Sequence, residues 1–150
     1  MSKIVIIGAG AMGTAFCYPC VDNNHDTQII GTHLENDFID EIEKKSRVHP
    51  TLNTKIPDKI KLLKHKNLER VLKSQIDLLV VGVSSKGINW ISEEISKVYK
   101  EKNNTPKILM LTKGLSIHKN QYELLVNKLE RLLKGKKVFN IDISAIGGPC

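Results

Sequence analysis

The chain has 150 residues, 41% hydrophobic and 26% charged, with 23 Lys plus Arg against 16 Asp plus Glu and a net charge of +7. That length suits a single domain, residues 1–150, whose core needs neither disulfides nor metals, and the composition excludes general disorder. Aromatic residues make up 5% and do not interleave with the scattered lysines as a nucleic-acid stacking platform requires, so nucleic-acid binding is not expected, and the excess charge reads either as a solvated lysine-rich surface or as an attraction for other anions such as phosphorylated metabolites.

Lys3 to Ile7 reads as a first strand, ended by Gly8. A helix follows the glycines from Ala11 to Val21, and Asn23-Asn24-His25-Asp26 forms a turn. Thr27 to Gly31 is a second strand. Asn36 to Lys45 is a helix with Phe38, Ile39 and Ile42 on one face, and His49-Pro50 marks a break. Within the less regular stretch 51–66, Lys59 to Lys64 is read as a poorly buried third strand. Leu68 to Ser74 is a short helix. Ile76 to Val83 is apolar nearly throughout, as expected of a strand covered on both faces of a parallel sheet. Ile88, Ile91, Ile95 and Val98 recur at helical spacing. Lys107 to Thr112 is another buried strand, and Tyr122, Leu125, Val126, Leu129 and Leu133 predict one long amphipathic helix. Val138 to Ile143 is the last strand.

Six strands alternating with helices predict a Rossmann-type doubly wound parallel sheet with helices on both faces. The run Ile4 to Ile7 is too short for a signal-peptide core, and no stretch reaches membrane-spanning length. Three cysteines do not make a secreted disulfide framework, so the cytoplasm is the expected location.

Gly8-Ala9-Gly10-Ala11-Met12-Gly13 is a GxGxxG sequence placed directly between a strand and a helix, which is the context that gives this pattern meaning. Gly8 permits the tight turn, Gly10 leaves room for a pyrophosphate against the backbone, and Gly13 lets the helix pack on the strand. The helix start, with Ala11 and Met12, supplies N–H groups and positive dipole to phosphates. An acid at the end of the second strand often binds the ribose in such folds. Here that end reads Gly31-Thr32-His33-Leu34-Glu35, with Glu35 late and no Arg in its place. NAD and NADP are therefore both open, and Thr32 or His33 is expected to line the ribose. Polar or glycine features recur at the carboxyl ends of other strands: Ser84-Ser85, Thr112-Lys113-Gly114 and Gly147-Gly148. Together they outline a site along one sheet edge.

Cys17-Tyr18-Pro19-Cys20 has the CxxC spacing, but it lies well inside the helix rather than at an N-terminus where a thiolate is stabilised, so a structural role is expected. With no second ligand pair, no metal site is expected. His25, His49, His65 and His118 are read as loop or surface residues.

The ordered series GAGAMGTA from Gly8, HPTL from His49, Val83-Ser84, Thr112-Lys113-Gly114-Leu115 and Gly148-Pro149 resembles the NAD(P)-dependent glycerol-3-phosphate dehydrogenases over the whole chain. The resemblance implies reversible hydride transfer between NAD or NADP and dihydroxyacetone phosphate, giving sn-glycerol 3-phosphate. It implies cofactor contacts at Gly8, Gly10, Ala11, Met12, Gly13, Thr32, Ser84 and Lys113, and contacts of Lys113 and Gly148 with a small phosphorylated substrate. Lys113 becomes the residue nearest the chemistry. A homodimer is compatible with the resemblance. Two positions depart from the family: Met12, where Trp or Phe is frequent, and Cys150, where Ser or Thr is frequent. The family's catalytic lysine and phosphate-binding residues lie in a helical C-terminal domain, which is expected to be missing from these residues. Two other readings remain: a related Rossmann reductase of the ketopantoate reductase or β-hydroxyacid dehydrogenase type, and a non-catalytic NAD(H)-sensing module.

Overall fold

The computed structural model describes residues 1–147. In chain order the elements are β1 (Lys3–Ile7), α1 (Ala11–Asp22), β2 (Asp26–Ile30), α2 (Asn36–Lys44), β3 (Val48–His49), β4 (Thr54–Lys55), β5 (Lys61–Leu63), α3 (Leu68–Leu72), β6 (Leu78–Val81), α4 (Ile88–Tyr99), β7 (Lys107–Met110), β8 (Leu115–His118), β9 (Gln121–Leu124), α5 (Leu125–Gly135) and β10 (Ile143–Ala145). Six strands form one sheet in the order β10-β7-β6-β1-β2-β5, every pair parallel. Read from β5 and numbered by appearance in the chain, that is 3-2-1-4-5-6, the Rossmann order. The expected fold class is therefore correct.

Side chains of β1 alternate between two apolar layers because neighbouring residues of a strand point to opposite faces. Val5 and Ile7 join Leu79, Val81, Ile88, Ile91, Ile95, Leu129 and Leu133 beneath α3, α4 and α5. Ile4 and Ile6 join Cys17, Cys20, Ile29, Ile39 and Ile42 beneath α1 and α2. The near-continuous apolar sequence of β1 and β6 follows from this burial on both faces. A parallel sheet brings all its strand ends out together. The loops after β1, β2, β6 and β7 therefore meet along one edge.

Two expected elements are different in the structure. Tyr122 does not belong to a long helix: residues 115–124 form an antiparallel ribbon, β8 with β9, and α5 starts only at Leu125. The turn residues Lys119 and Asn120 both have positive φ, 50° and 62°. That pair matches the right-handed twist of a two-residue hairpin and stops helical winding. Paired residues put Leu115, Ile117, Tyr122 and Leu124 on one side of the ribbon, and all four are exposed, Tyr122 to 81%. The other side is polar. There Glu123 accepts two bonds from Arg131 of α5, at 2.8 and 2.9 Å, which holds the ribbon to the domain.

The last strand is not Val138 to Ile143 but β10, starting at Ile143. Val138 belongs to the end of α5. Lys137 has φ 62°, its N–H reaches Lys134 O at 3.0 Å, and the Val138 N–H reaches Leu133 O at 3.0 Å. These are the two bonds of a Schellman cap, and fully buried Val138 supplies its apolar contact. The unclear stretch before β5 holds a short antiparallel hairpin of β3 and β4, and β5 itself spans Lys61–Leu63 at the sheet edge. Other boundaries agree with the sequence reading to within about two residues, the usual uncertainty of strand and helix ends.

Candidate functional site

The turn from β1 into α1 is built by interlocked glycines. Gly8 has φ +108°, a region that side chains other than hydrogen rarely adopt. A Cβ on Gly13 would lie 2.2 Å from Gly8 O, and one on Gly8 would lie 2.6 Å from Gly82 O. Gly82, at the end of β6, would in turn bring a Cβ to 3.2 Å from Gly13 Cα. Gly8 and Gly13 are therefore demanded by the protein's own packing. Gly10 is different: a Cβ there meets nothing nearer than Glu35 Oε1 at 3.9 Å. The space in front of Gly10 is open on the solvent side.

Gly10 is the extended N-cap of α1, φ −67° and ψ 176°, and makes no side-chain cap. The first N–H groups of a helix have no acceptor within it, and the first turn of α1 holds no acid. That end of the helix favours an anion. In front of it lies a crevice of about 440 Å³ lined by Gly10, Ala11, Met12, Val83, Ser84, Thr112 and Lys113 among others. A hollow of about 520 Å³ elsewhere runs between Leu72, Tyr99 and Pro106. It lies away from the carboxyl ends of the sheet strands, where α/β folds bind ligands.

All the sequence-predicted site residues but Gly148 can be placed. Gly10, Ala11, Met12, Ser84 and Lys113 share the crevice. Gly8 and Gly13 shape its floor from below. Thr32 sits just beyond β2, to one side, with its N–H donated to Glu35 Oε2 at 2.7 Å. Gly148 lies outside the described residues. The residues just before Lys113 are tied to the end of β6 and the loop after it. Leu111 N–H bonds Val81 O at 2.9 Å, Thr112 Oγ1 donates to Val83 O at 2.6 Å, and Gly114 follows at φ +129°. The exposed Lys113 side chain thus starts from fixed backbone at the crevice wall.

Three residues at this edge carry no site role in the sequence analysis. Gly82 interlocks with Gly8 and Gly13, and its only signal was a glycine ending an apolar strand. Glu35 folds back onto Thr32 N–H and Ala9 N–H, at 2.7 and 3.2 Å. The Thr32-x-x-Glu35 spacing, that of a capping box, could have revealed the first of these bonds. His49, expected in a loop or on the surface, ends β3 and is buried at 1% exposure. Its Nε2 lies 3.2 Å from Ala9 O, while Nδ1 accepts the N–H groups of Thr51 and Leu52 at 3.2 and 3.3 Å. No local pattern announces that contact, because its partner is 40 positions away.

The cysteine pair is structural. Cys17 and Cys20 are buried, free thiols. Burial, with the neighbouring Cys20 adding to it, pushes the Cys17 thiol up to about 12. A thiol raised above its unfolded value of 9.0 contributes stability that is fully present below pH 9 and is lost as pH rises towards 12. We expect Cys17 in a Cys150→Ser chain to resist a disulfide exchange reagent at pH 8 and to react on unfolding. Rapid reaction of the folded chain at that pH would show an accessible thiolate. Among the described residues, no group of three or more His, Cys, Asp or Glu is placed to hold a metal ion. No helix of the described residues is long and apolar enough to cross a membrane.

Comparison with known proteins agrees with this geometry. The family model described as the NAD-dependent glycerol-3-phosphate dehydrogenase N-terminus matches residues 3–150. The NADP(+)-dependent glycerol-3-phosphate dehydrogenase of Archaeoglobus fulgidus is 30% identical over 112 residues, which cover 75% of this chain and 31% of that protein. The glycerol-3-phosphate dehydrogenase [NAD(P)+] of Lactococcus lactis subsp. cremoris is 27% identical over 149 residues, 98% of this chain and 40% of its own length. The chain thus spans about a third of the length of these curated relatives. Among solved structures, the glycerol-3-phosphate dehydrogenase of Coxiella burnetii superposes with a TM-score of 0.74 at 20% identity, covering 99% of this chain and 41% of that one. At that identity the likeness speaks for the fold.

Proposed function

We propose, for a chain that belongs to the NAD-dependent glycerol-3-phosphate dehydrogenase N-terminal family, that residues 1–150 form one domain holding NAD or NADP for the interconversion of sn-glycerol 3-phosphate and dihydroxyacetone phosphate. The observation that carries this reading is the contrast among the glycines. Gly8 and Gly13 have no room for a side chain, whereas Gly10 has room and faces the crevice. A glycine kept where the protein itself would accept a larger residue is accounted for by a ligand that fills the space.

In this reading the N–H groups at the start of α1 hold the pyrophosphate, Gly8 and Gly13 set the loop beneath it, and the ribose lies towards Thr32. Met12, Ser84 and Lys113, which line the same crevice, would hold the far half of the cofactor. When bound, the reduced nicotinamide would supply a hydride to the carbonyl carbon of dihydroxyacetone phosphate, and water or a group outside residues 1–150 would supply the proton to the carbonyl oxygen. Lys113 attracts the phosphorylated substrate and stabilises negative charge growing on that oxygen. Gly148 contacts the substrate by family resemblance. The remaining groups come from a helical domain of the kind that the longer relatives have room for. A related reductase and a nucleotide sensor are both less well supported, because the family match runs through the Lys113 region to residue 150.

Side-by-side titration with NADH and NADPH tests the reading. Binding of at least one is expected, with no turnover on adding dihydroxyacetone phosphate. An open crevice does not shut water out of the reacting centre. A chain that binds neither nucleotide overturns the proposal, and turnover by residues 1–150 alone overturns the division of labour. Two finer parts of the reading are a homodimer, supported by the exposed apolar side of the β8–β9 ribbon, and a cytoplasmic location, supported by the free thiols of Cys17 and Cys20.

A further inference from the structure

Ala9 stands between the first two glycines of the loop, and both polar groups of its backbone are held by residues distant in sequence. Its N–H donates to Glu35 Oε2 at 3.2 Å. Its carbonyl accepts from Thr14 Oγ1 at 3.1 Å and lies 3.2 Å from His49 Nε2. The network fixes the imidazole tautomer. Nδ1 receives the N–H groups of Thr51 and Leu52 and must be bare, so Nε2 carries the proton and donates it to Ala9 O. The ring is further wedged edge-on against Phe38, with centroids 5.4 Å apart.

We propose that Glu35 and His49 are positioning residues for the cofactor: together they clamp the Ala9 peptide and so fix the direction in which Gly10 and the first amides of α1 face. The inference rests on the reading that this loop receives the pyrophosphate. A loop held in its receiving shape loses less freedom when an anion binds, and so binds it more tightly. An architectural role for His49 alone, tying down the β3–β4 hairpin, is a weaker account. That hairpin has other anchors: Arg47 Nη2 donates to Ile60 O at 2.6 Å, and Tyr18 Oη to Lys55 O at 3.4 Å. The Ala9 peptide has only the clamp and Thr14 among the bonds described.

Two isosteric changes separate the nitrogens of His49. In His49→Gln the side-chain amide nitrogen reaches the Nε2 position and keeps the donor to Ala9 O. In His49→Asn the amide oxygen keeps the Nδ1 acceptor, but nothing reaches Ala9. Glu35→Ala, at a half-buried position, removes the other arm without touching the core. Each chain is measured for NADH and NADPH affinity, thermal midpoint and amide hydrogen exchange. The expected result is an affinity lower by about tenfold in His49→Asn and in Glu35→Ala, the scale of one lost hydrogen bond. Amides of residues 9–12 should exchange faster in both, while β1 and β6 stay protected. His49→Gln should remain within about threefold of the parent. Unchanged exchange at residues 9–12 in both His49→Asn and Glu35→Ala overturns the clamp. So does an affinity loss shared by His49→Gln and His49→Asn in step with their melting temperatures. If the parent binds neither nucleotide, the functional reading fails, and loop exchange still decides whether the clamp exists.

Discussion

Gly10→Val is expected to lower NADH affinity by at least about 100-fold, or ~2.7 kcal/mol, in a chain that still unfolds cooperatively. The backbone at Gly10 is extended, φ −67° and ψ 176°, which valine adopts without strain. Its Cβ has no neighbour within 3.9 Å. The cost to the fold is that of a poorer helix N-cap, on the order of 0.5–1 kcal/mol. What the two methyl groups remove is the room for phosphate oxygens in front of the α1 amides. Gly13→Ala gives the contrast. One added methyl group there would overlap Gly8 O at 2.2 Å, and backbone cannot swing aside as a side chain can. Loss of about 2 kcal/mol or more of stability is expected, with binding lost because the loop is displaced. Calorimetry and thermal unfolding on the two variants distinguish the cases. Unchanged NADH affinity in a folded Gly10→Val chain would mean that the space before Gly10 is not where the phosphates lie.

Lys113→Ala, in a full-length enzyme carrying this domain, is expected to lower kcat/KM for dihydroxyacetone phosphate by about 100-fold or more, the scale of losing one electrostatic stabiliser. Before Lys113, the Leu111 N–H is bonded to Val81 O of β6 and the Thr112 hydroxyl to Val83 O, and after it the Gly114 carbonyl accepts from the Leu125 N–H. The ammonium group therefore starts from a defined place on the crevice wall. NADH affinity should change far less, because the pyrophosphate is held at the glycine loop. Steady-state kinetics beside a cofactor titration reads both quantities. Turnover close to the parent's would reduce Thr112-Lys113-Gly114-Leu115 to a packing motif.

The sequence by itself determined the sheet, the covering helices and the glycine loop. These rest on local signals: apolar runs of strand length, apolar residues at helical spacing, and glycines in a fixed position between a strand and a helix. Ile88, Ile91, Ile95 and Val98 are all buried as their spacing requires. The crevice was legible too, because a parallel sheet sends all its carboxyl ends to one edge, whatever the loops contain. The tertiary structure alone decided what depends on pairs distant in the chain or on backbone that a residue's type does not announce. Lys119, Asn120 and Lys137 take positive φ without being glycine, so a helical apolar pattern at Tyr122 gave way to a hairpin, and Val138 left the strand for a helix cap. Glu35 and His49 reach Ala9 from 26 and 40 residues away. Neither contact leaves a periodic trace, since a single hydrogen bond across the fold constrains one residue and not its neighbours.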